Sequence, residues 1–200
     1  QKKMEKVYDD NVAAGHPEPF AVCFDLLTAE EKEFDNLAMT VAQATGRRLD
    51  GILHFASYFY ALSPLDFQTV AEWVNQYRIN TVAPMGLTRA FLPLLKQSAD
   101  ASVIFVGESH SEDPKAYWGG FGASKAALNY LCKVAADEWE RFENLRANVL
   151  VPGPVNSPQR MKTHPGEARS ERKDYEEIMP DFVWLASGES RGRSGEIVYL

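Results

Sequence analysis

Chemistry-bearing residues and flexible backbone come together at Trp118-Gly119-Gly120-Phe121-Gly122-Ala123-Ser124-Lys125. This stretch follows the apolar run Ser102-Val103-Ile104-Phe105-Val106 by way of a polar loop. Beyond it Leu128, Leu131, Ala135, Trp139 and Phe142 recur at three- and four-residue steps, so the pattern predicts a strand, a loop and a helix near 118–141. Lys125 stands four residues after Phe121, which puts both side chains on one face of that helix. Small residues between them let a ligand approach the backbone closely. With a tyrosine as the aromatic, the pair would be an acid–base couple, a phenol whose pKa the neighbouring ammonium lowers. Phe121 has no proton to give.

Around this stretch the chain alternates strand-like and helix-like segments. Residues 1–14 read as an amphipathic helix with Met4, Val7, Tyr8 and Val12 on one side, closed by Gly15. Phe20-Ala21-Val22-Cys23-Phe24 reads as a buried strand ending at Asp25. Thr28-Ala29-Glu30-Glu31 has the form of a capping box, ahead of a helix striped by Phe34, Leu37, Ala38 and Val41 and ended by Gly46. Gly51 to Ala56 is the next strand. A long helical region runs from about Val70 to Lys96, with Pro84 expected to kink it. Its later part, Met85 to Leu95, is apolar nearly all round, which predicts a subunit interface. Asn148-Val149-Leu150-Val151 is a further strand, stopped by Pro152-Gly153-Pro154. The polar segment 154–174 reads either as a solvated loop or as a mobile lid. A helix near Tyr175–Ser187 and a strand at Glu196-Ile197-Val198-Tyr199 follow.

Strands alternating with helices define an α/β chain, one domain over 1–200 built on a parallel sheet covered on both faces. Ligands bind such sheets at the carboxyl ends of the strands. Those ends are Asp25-Leu26, Ala56-Ser57, Gly107-Glu108-Ser109 and Pro152-Gly153. Four segments thus point at one edge.

Composition narrows the partners. A net charge of −7 argues against nucleic acid or an anionic membrane surface. No run of about 18 apolar residues is present to span a bilayer. Cys23 and Cys132 both lie in apolar runs and read as small core residues in a reducing, cytoplasmic compartment, and no cluster has metal-ligand spacing.

In this order the residues resemble the short-chain dehydrogenase/reductase family, and within it the bacterial YciK-like branch. The resemblance covers essentially the whole chain but begins part-way into the family pattern. It implies a Rossmann-like doubly wound parallel sheet and a NAD- or NADP-dependent oxidoreductase moving hydride on a small carbonyl or alcohol, assembled as a homodimer or tetramer. Residue by residue it implies that Asp25-Leu26 holds the adenine ring and that Ala56 lies at the cofactor-facing strand end. Asn80, in Ile79-Asn80-Thr81, would order a proton-relay water. Lys125 would bond the nicotinamide ribose, and Pro152-Gly153 would flank the nicotinamide. Asp181 to Ala186, leading to Gly195, resembles the family's closing helix and strand.

The departures carry equal weight. Phe121 stands where the family has its acid Tyr, which removes a term of roughly 10²–10⁴ in rate. Glu108 stands where the family has a carbonyl-binding Ser, an acceptor where negative charge would develop. Ser109 and Tyr117 are the residues nearest to the two vacated roles. His54-Phe55-Ala56-Ser57 replaces the family's Asn-Asn-Ala-Gly. No Gly-x-x-x-Gly-x-Gly loop occurs, and the first strand–helix–strand unit is lacking. Since the family order is three-two-one-four-five-six-seven, this leaves the strands at 20–24 and 51–56 about three spacings, roughly 14 Å, apart with two apolar edges. The expectation is a fragment of a longer chain, the alternative a shortened chain with a rearranged sheet. Function divides likewise. One reading is an oxidoreductase with impaired or altered chemistry. The other is a non-catalytic binding protein that dimerises through 85–95 and 125–140.

Overall fold

The computed structural model describes residues 2–200, with side chains from residue 5 onward; Met4, expected on the apolar side of the first helix, lies outside the described side chains. Four strands form one parallel sheet in sequential order: β1 (Gly51–His54), β2 (Ala101–Val106), β3 (Leu145–Val151) and β4 (Ile197–Tyr199). Among the described residues there are seven α-helices: α1 (Lys2–Ala13), α2 (Glu31–Ala44), α3 (Val70–Tyr77), α4 (Ala83–Leu95), α5 (Gly119–Glu138), α6 (Pro158–Thr163) and α7 (Tyr175–Ala186).

Alternation along the strands sorts the core into two layers. Val103 and Phe105 of β2, with Ala147, Val149 and Val151 of β3, pack against Leu128, Cys132 and Ala135 of α5 and Leu95 of α4. Ile104 and Leu150 point the other way, onto Ile178, Phe182 and Leu185 of α7. Both faces of the sheet are therefore covered, which is why its strands are apolar runs rather than alternating ones. The expected α/β, doubly wound architecture is what the chain adopts. A third layer, in which Phe34 and Ala38 of α2 pack on α4, backs the β1 side.

That third layer bears on the expected subunit interface. The apolar circumference of α4 is used largely within the chain, with Phe91, Leu94 and Leu95 buried and Met85 left exposed. Phe91 and Leu94 pack on α2 and Leu95 on the sheet.

Three readings are corrected. The segment 20–24 is not a buried strand: it forms no ladder, and Phe20 and Cys23 are exposed. A strand needs a neighbour to satisfy its amides and carbonyls, and none of the four strands lies beside it. The same exposure removes Cys23 from the core. The capping box sits two residues later than expected, with Glu33 accepting from the Glu30 amide (3.0 Å). Thr28 instead donates to Asp25 in a local turn (2.7 Å). The long helical region, by contrast, follows the expectation, with its irregularity just before Pro84: a wide turn at Arg78–Val82 in which the Ala83 amide reaches back to the Arg78 carbonyl. Proline's missing amide makes the regular ladder unattainable there.

Gly86 marks the tightest place between α2 and α4, because a Cβ added there would lie 2.6 Å from the Phe34 ring. Gly86→Val should lower stability by about 1–3 kcal/mol, despite valine's better helix propensity, as in other overpacked cores. Denaturant unfolding measures this directly; an unchanged or higher midpoint would refute the close contact.

Candidate active site

The carboxyl ends of β1, β2 and β3 open into one cavity of about 350 Å³. Its floor is formed by Gly107 and Glu108 after β2 and by Pro152 and Gly153 after β3. Gly107 is required by proximity, since a Cβ there would come within 2.6 Å of Val149. Lys125 and Phe121 line one wall from α5, and Phe182 with Tyr175 another from α7. The segment after β3 closes the top. It is an ordered cap rather than an open loop, because Arg160 and Arg172 both pair with Glu167 and Val155 bridges Lys173.

Lys125 is only 3% exposed, and its Nζ donates to the Val106 carbonyl (2.8 Å). Loss of hydration pulls its pKa down to about 8, with the negative charge of Glu108 acting in the opposite direction. Phe121 is buried, set edge-on against Phe59 with ring centres 5.2 Å apart. Where the family places a phenol there is an apolar ring, and the Lys125 ammonium lies 5.8 Å from its centre.

Glu108 is not isolated. Its Oε1 meets His110 Nδ1 at 2.9 Å and accepts the Ser109 hydroxyl at 2.9 Å. His110 in turn stacks flat on Trp118, centres 4.0 Å apart, and His164 of the cap approaches both rings. Burial and the nearby Arg160 cation lower the His164 pKa.

The remaining sequence candidates divide. Lys125, Phe121, Glu108, Pro152 and Gly153 come together around the cavity; Asn80, Asp25, Leu26 and Ala56 are not among its lining residues. Asn80 is fully buried and spends its amide as a clamp. It accepts from the Tyr58 amide (2.7 Å) and donates to the Tyr58 carbonyl (2.9 Å) and the Ser124 hydroxyl (2.9 Å), so it ties the loop after β1 to α5. Asp25 closes a local turn with Leu27 and Thr28, and Leu26 packs on the cluster of Ala29, Phe34 and Ala83. Ala56 is exposed between Phe55 and Ser57, which do line the cavity. Tyr117 precedes α5 with φ of 76°, is 54% exposed and is not among the residues lining the cavity. Arg160 belongs to the 154–174 segment that reads as a solvated loop or a lid, whereas the sequence does not single out His110, Tyr175 and Phe182 as site residues. Only His110, two residues past Glu108 in a polar loop, left a visible signal.

With this geometry established, the comparisons agree. The short chain dehydrogenase family model matches residues 1–168, and the chain belongs to that family. The uncharacterized oxidoreductase YciK of Escherichia coli K12 is 34% identical over 171 residues, covering 86% of this chain and 67% of YciK. The solved structure of the yciK oxidoreductase superposes with a TM-score of 0.92 at 32% identity, covering 99% of this chain and 80% of that one. A protein of Escherichia coli CFT073, assigned as a short-chain dehydrogenase and complexed with NADPH, gives 0.93 at 32% identity, covering 100% and 82%.

His54, at the end of β1, is 6% exposed, lies 3.0 Å from the Thr88 hydroxyl and stacks on Phe105. Burial, with Lys125 nearby, lowers its pKa to about 3. An unfolded histidine titrates near 6.5, so between roughly pH 6.5 and 3 the unfolded chain binds the extra proton and stability falls as pH falls. His54→Gln should flatten that slope by up to about 1.4 kcal/mol per pH unit. Paired unfolding curves from pH 7 to 4 check it; parallel slopes would show that His54 is hydrated.

Proposed function

We propose that this chain carries the substrate side of a NADP(H)-dependent short-chain oxidoreductase, acting on a small, largely apolar carbonyl or alcohol with an altered proton supply. The observation that carries this reading is the cavity itself. Lys125, Pro152 and Gly153 meet there at the strand ends, beside an aromatic wall of Phe55, Trp118, Phe121 and Phe182. Supporting it, a relative of the same fold is complexed with NADPH.

The residues present fit one end of that cofactor. Lys125, with a single protein acceptor among the described residues, has donors free for a ribose hydroxyl, and the Pro152-Gly153 turn offers backbone beside a nicotinamide. The pyrophosphate end is different, because the 200 residues contain no glycine-rich phosphate loop. When bound, such a cofactor supplies hydride chemistry. This chain's residues would then position the carbonyl, exclude water behind the Arg160–Glu167–Arg172 cap, and furnish a proton without a phenol at residue 121. The apolar walls favour a neutral substrate, since the nearest guanidinium, Arg160, is already paired with Glu167.

The non-catalytic reading is supported by the same two substitutions. Turnover separates the two. Protein fluorescence titrated with NADPH should show binding, and Phe121→Tyr should raise carbonyl-dependent NADPH oxidation by about 10²-fold or more by restoring an acid beside Lys125. Absence of binding at millimolar cofactor, together with no gain from Phe121→Tyr, would favour a binding protein, with Met85 and Tyr130 on α4 and α5 as the exposed surfaces to test by sedimentation.

A further inference from the structure

The cavity holds a buried amine that the hydride-transfer reading leaves without a partner acid. Lys125 donates to one acceptor among the described residues, the Val106 carbonyl, and has no phenol beside it. It faces an apolar, aromatic-lined space of about 350 Å³, in which Glu108 supplies a carboxylate. An amine desolvated in an apolar pocket, next to a proton-transfer group, is the arrangement that makes a lysine a nucleophile toward carbonyl carbon.

We propose that Lys125 reversibly condenses with an aldehyde or ketone in this cavity, forming an imine, with Glu108 carrying protons between nitrogen and oxygen. The neutral amine's lone pair attacks the carbonyl carbon. The C–N bond forms as the C=O π electrons move to oxygen, which takes a proton relayed by Glu108 from the nitrogen. The carbinolamine then loses water: the second nitrogen proton leaves, the C–O bond breaks, and C=N forms. One carbonyl and one amine give one imine and one water, with no change in oxidation state. This activity stands apart from hydride transfer, because no cofactor enters it.

The protonation balance supports the step. With its pKa near 8, Lys125 is about one-tenth neutral at pH 7, whereas an ordinary lysine near 10.4 has a few parts in ten thousand, a difference of roughly 200-fold. Besides Glu108 after β2, the titratable groups lining the cavity are Arg160 on α6 and Tyr175 on α7; His54 on β1 lies within reach of the Lys125 charge, and His110 and His164 stand beside Glu108. His54 is held neutral by burial and Arg160 is matched by Glu167, which leaves Glu108, hydrogen-bonded to His110 and Ser109, as the carboxylate among the cavity's lining residues.

The test is trapping of the imine on the 200-residue chain with benzaldehyde and cyanoborohydride from pH 6 to 9, followed by peptide mapping. The expected result at pH 7 is a saturable benzyl adduct on Lys125, at least tenfold above any other lysine, rising with a midpoint near pH 8. Lys125→Arg should abolish it. Glu108→Gln should slow labelling and shift its pH midpoint downward, which loss of packing alone would not do. Labelling spread over surface lysines with Lys125 spared, or a Lys125 midpoint near 10, would overturn the proposal from the wild-type protein alone. Neither result bears on NADPH binding, which is measured separately.

Discussion

The 2.8 Å hydrogen bond from Lys125 to the Val106 carbonyl joins the first turns of α5 to the end of β2, and the candidate site depends on it. It holds a buried amine, 3% exposed, at the point where three strands end. The helix is fixed there from its other side, because Gly120 lets it pack on Gln76 and Trp73 of α3 and because Asn80 clamps the loop after β1 to Ser124. Everything chemical about the cavity follows from that burial: the depressed basicity of Lys125, the leverage of a carboxylate at Glu108, and the neutrality of His54.

The two departures from the family pattern are not equivalent in the folded chain. Phe121 is absorbed into an aromatic cluster with Phe59 and Trp118, so its lost hydroxyl is replaced by packing. Glu108 is instead built into a polar arrangement. It pairs with His110, which rests on Trp118, and His164 of the cap approaches both rings. A carboxylate that merely replaced a serine would have no need of these partners. The cap itself is locked by two arginines on Glu167, whose pKa they hold well below the ordinary range.

Sheet, helices and the position of the cavity were legible in the sequence because periodicity reports burial, and burial decides strand and helix faces here. The run 102–106 and the stripe from Leu128 to Phe142 are found where the pattern put them. What failed was context. Phe20 to Phe24 has a strand's composition, but a strand exists only with a neighbour, and composition carries no information about which neighbours are present. Cys23 went wrong for the same reason. For Met85 to Leu95 a single helix cannot show which part of its apolar circumference another helix of the same chain, α2, covers. The His110–Trp118 stack and the contributions of Tyr175 and Phe182 join residues far apart in sequence, which spacing rules do not connect.

The most direct measurement is the titration of Lys125 itself. Reductive ¹³C-methylation followed by NMR, with Lys125→Arg to assign the signal, reads the ionisation of each lysine amine. A Lys125 resonance titrating near 8 and moving lower in Glu108→Gln is the result expected of a desolvated amine opposed by one carboxylate. A resonance titrating near 10.5 with no response to Glu108 would mean a hydrated amine, and the dry cavity on which both the oxidoreductase and the imine chemistry rest would not exist.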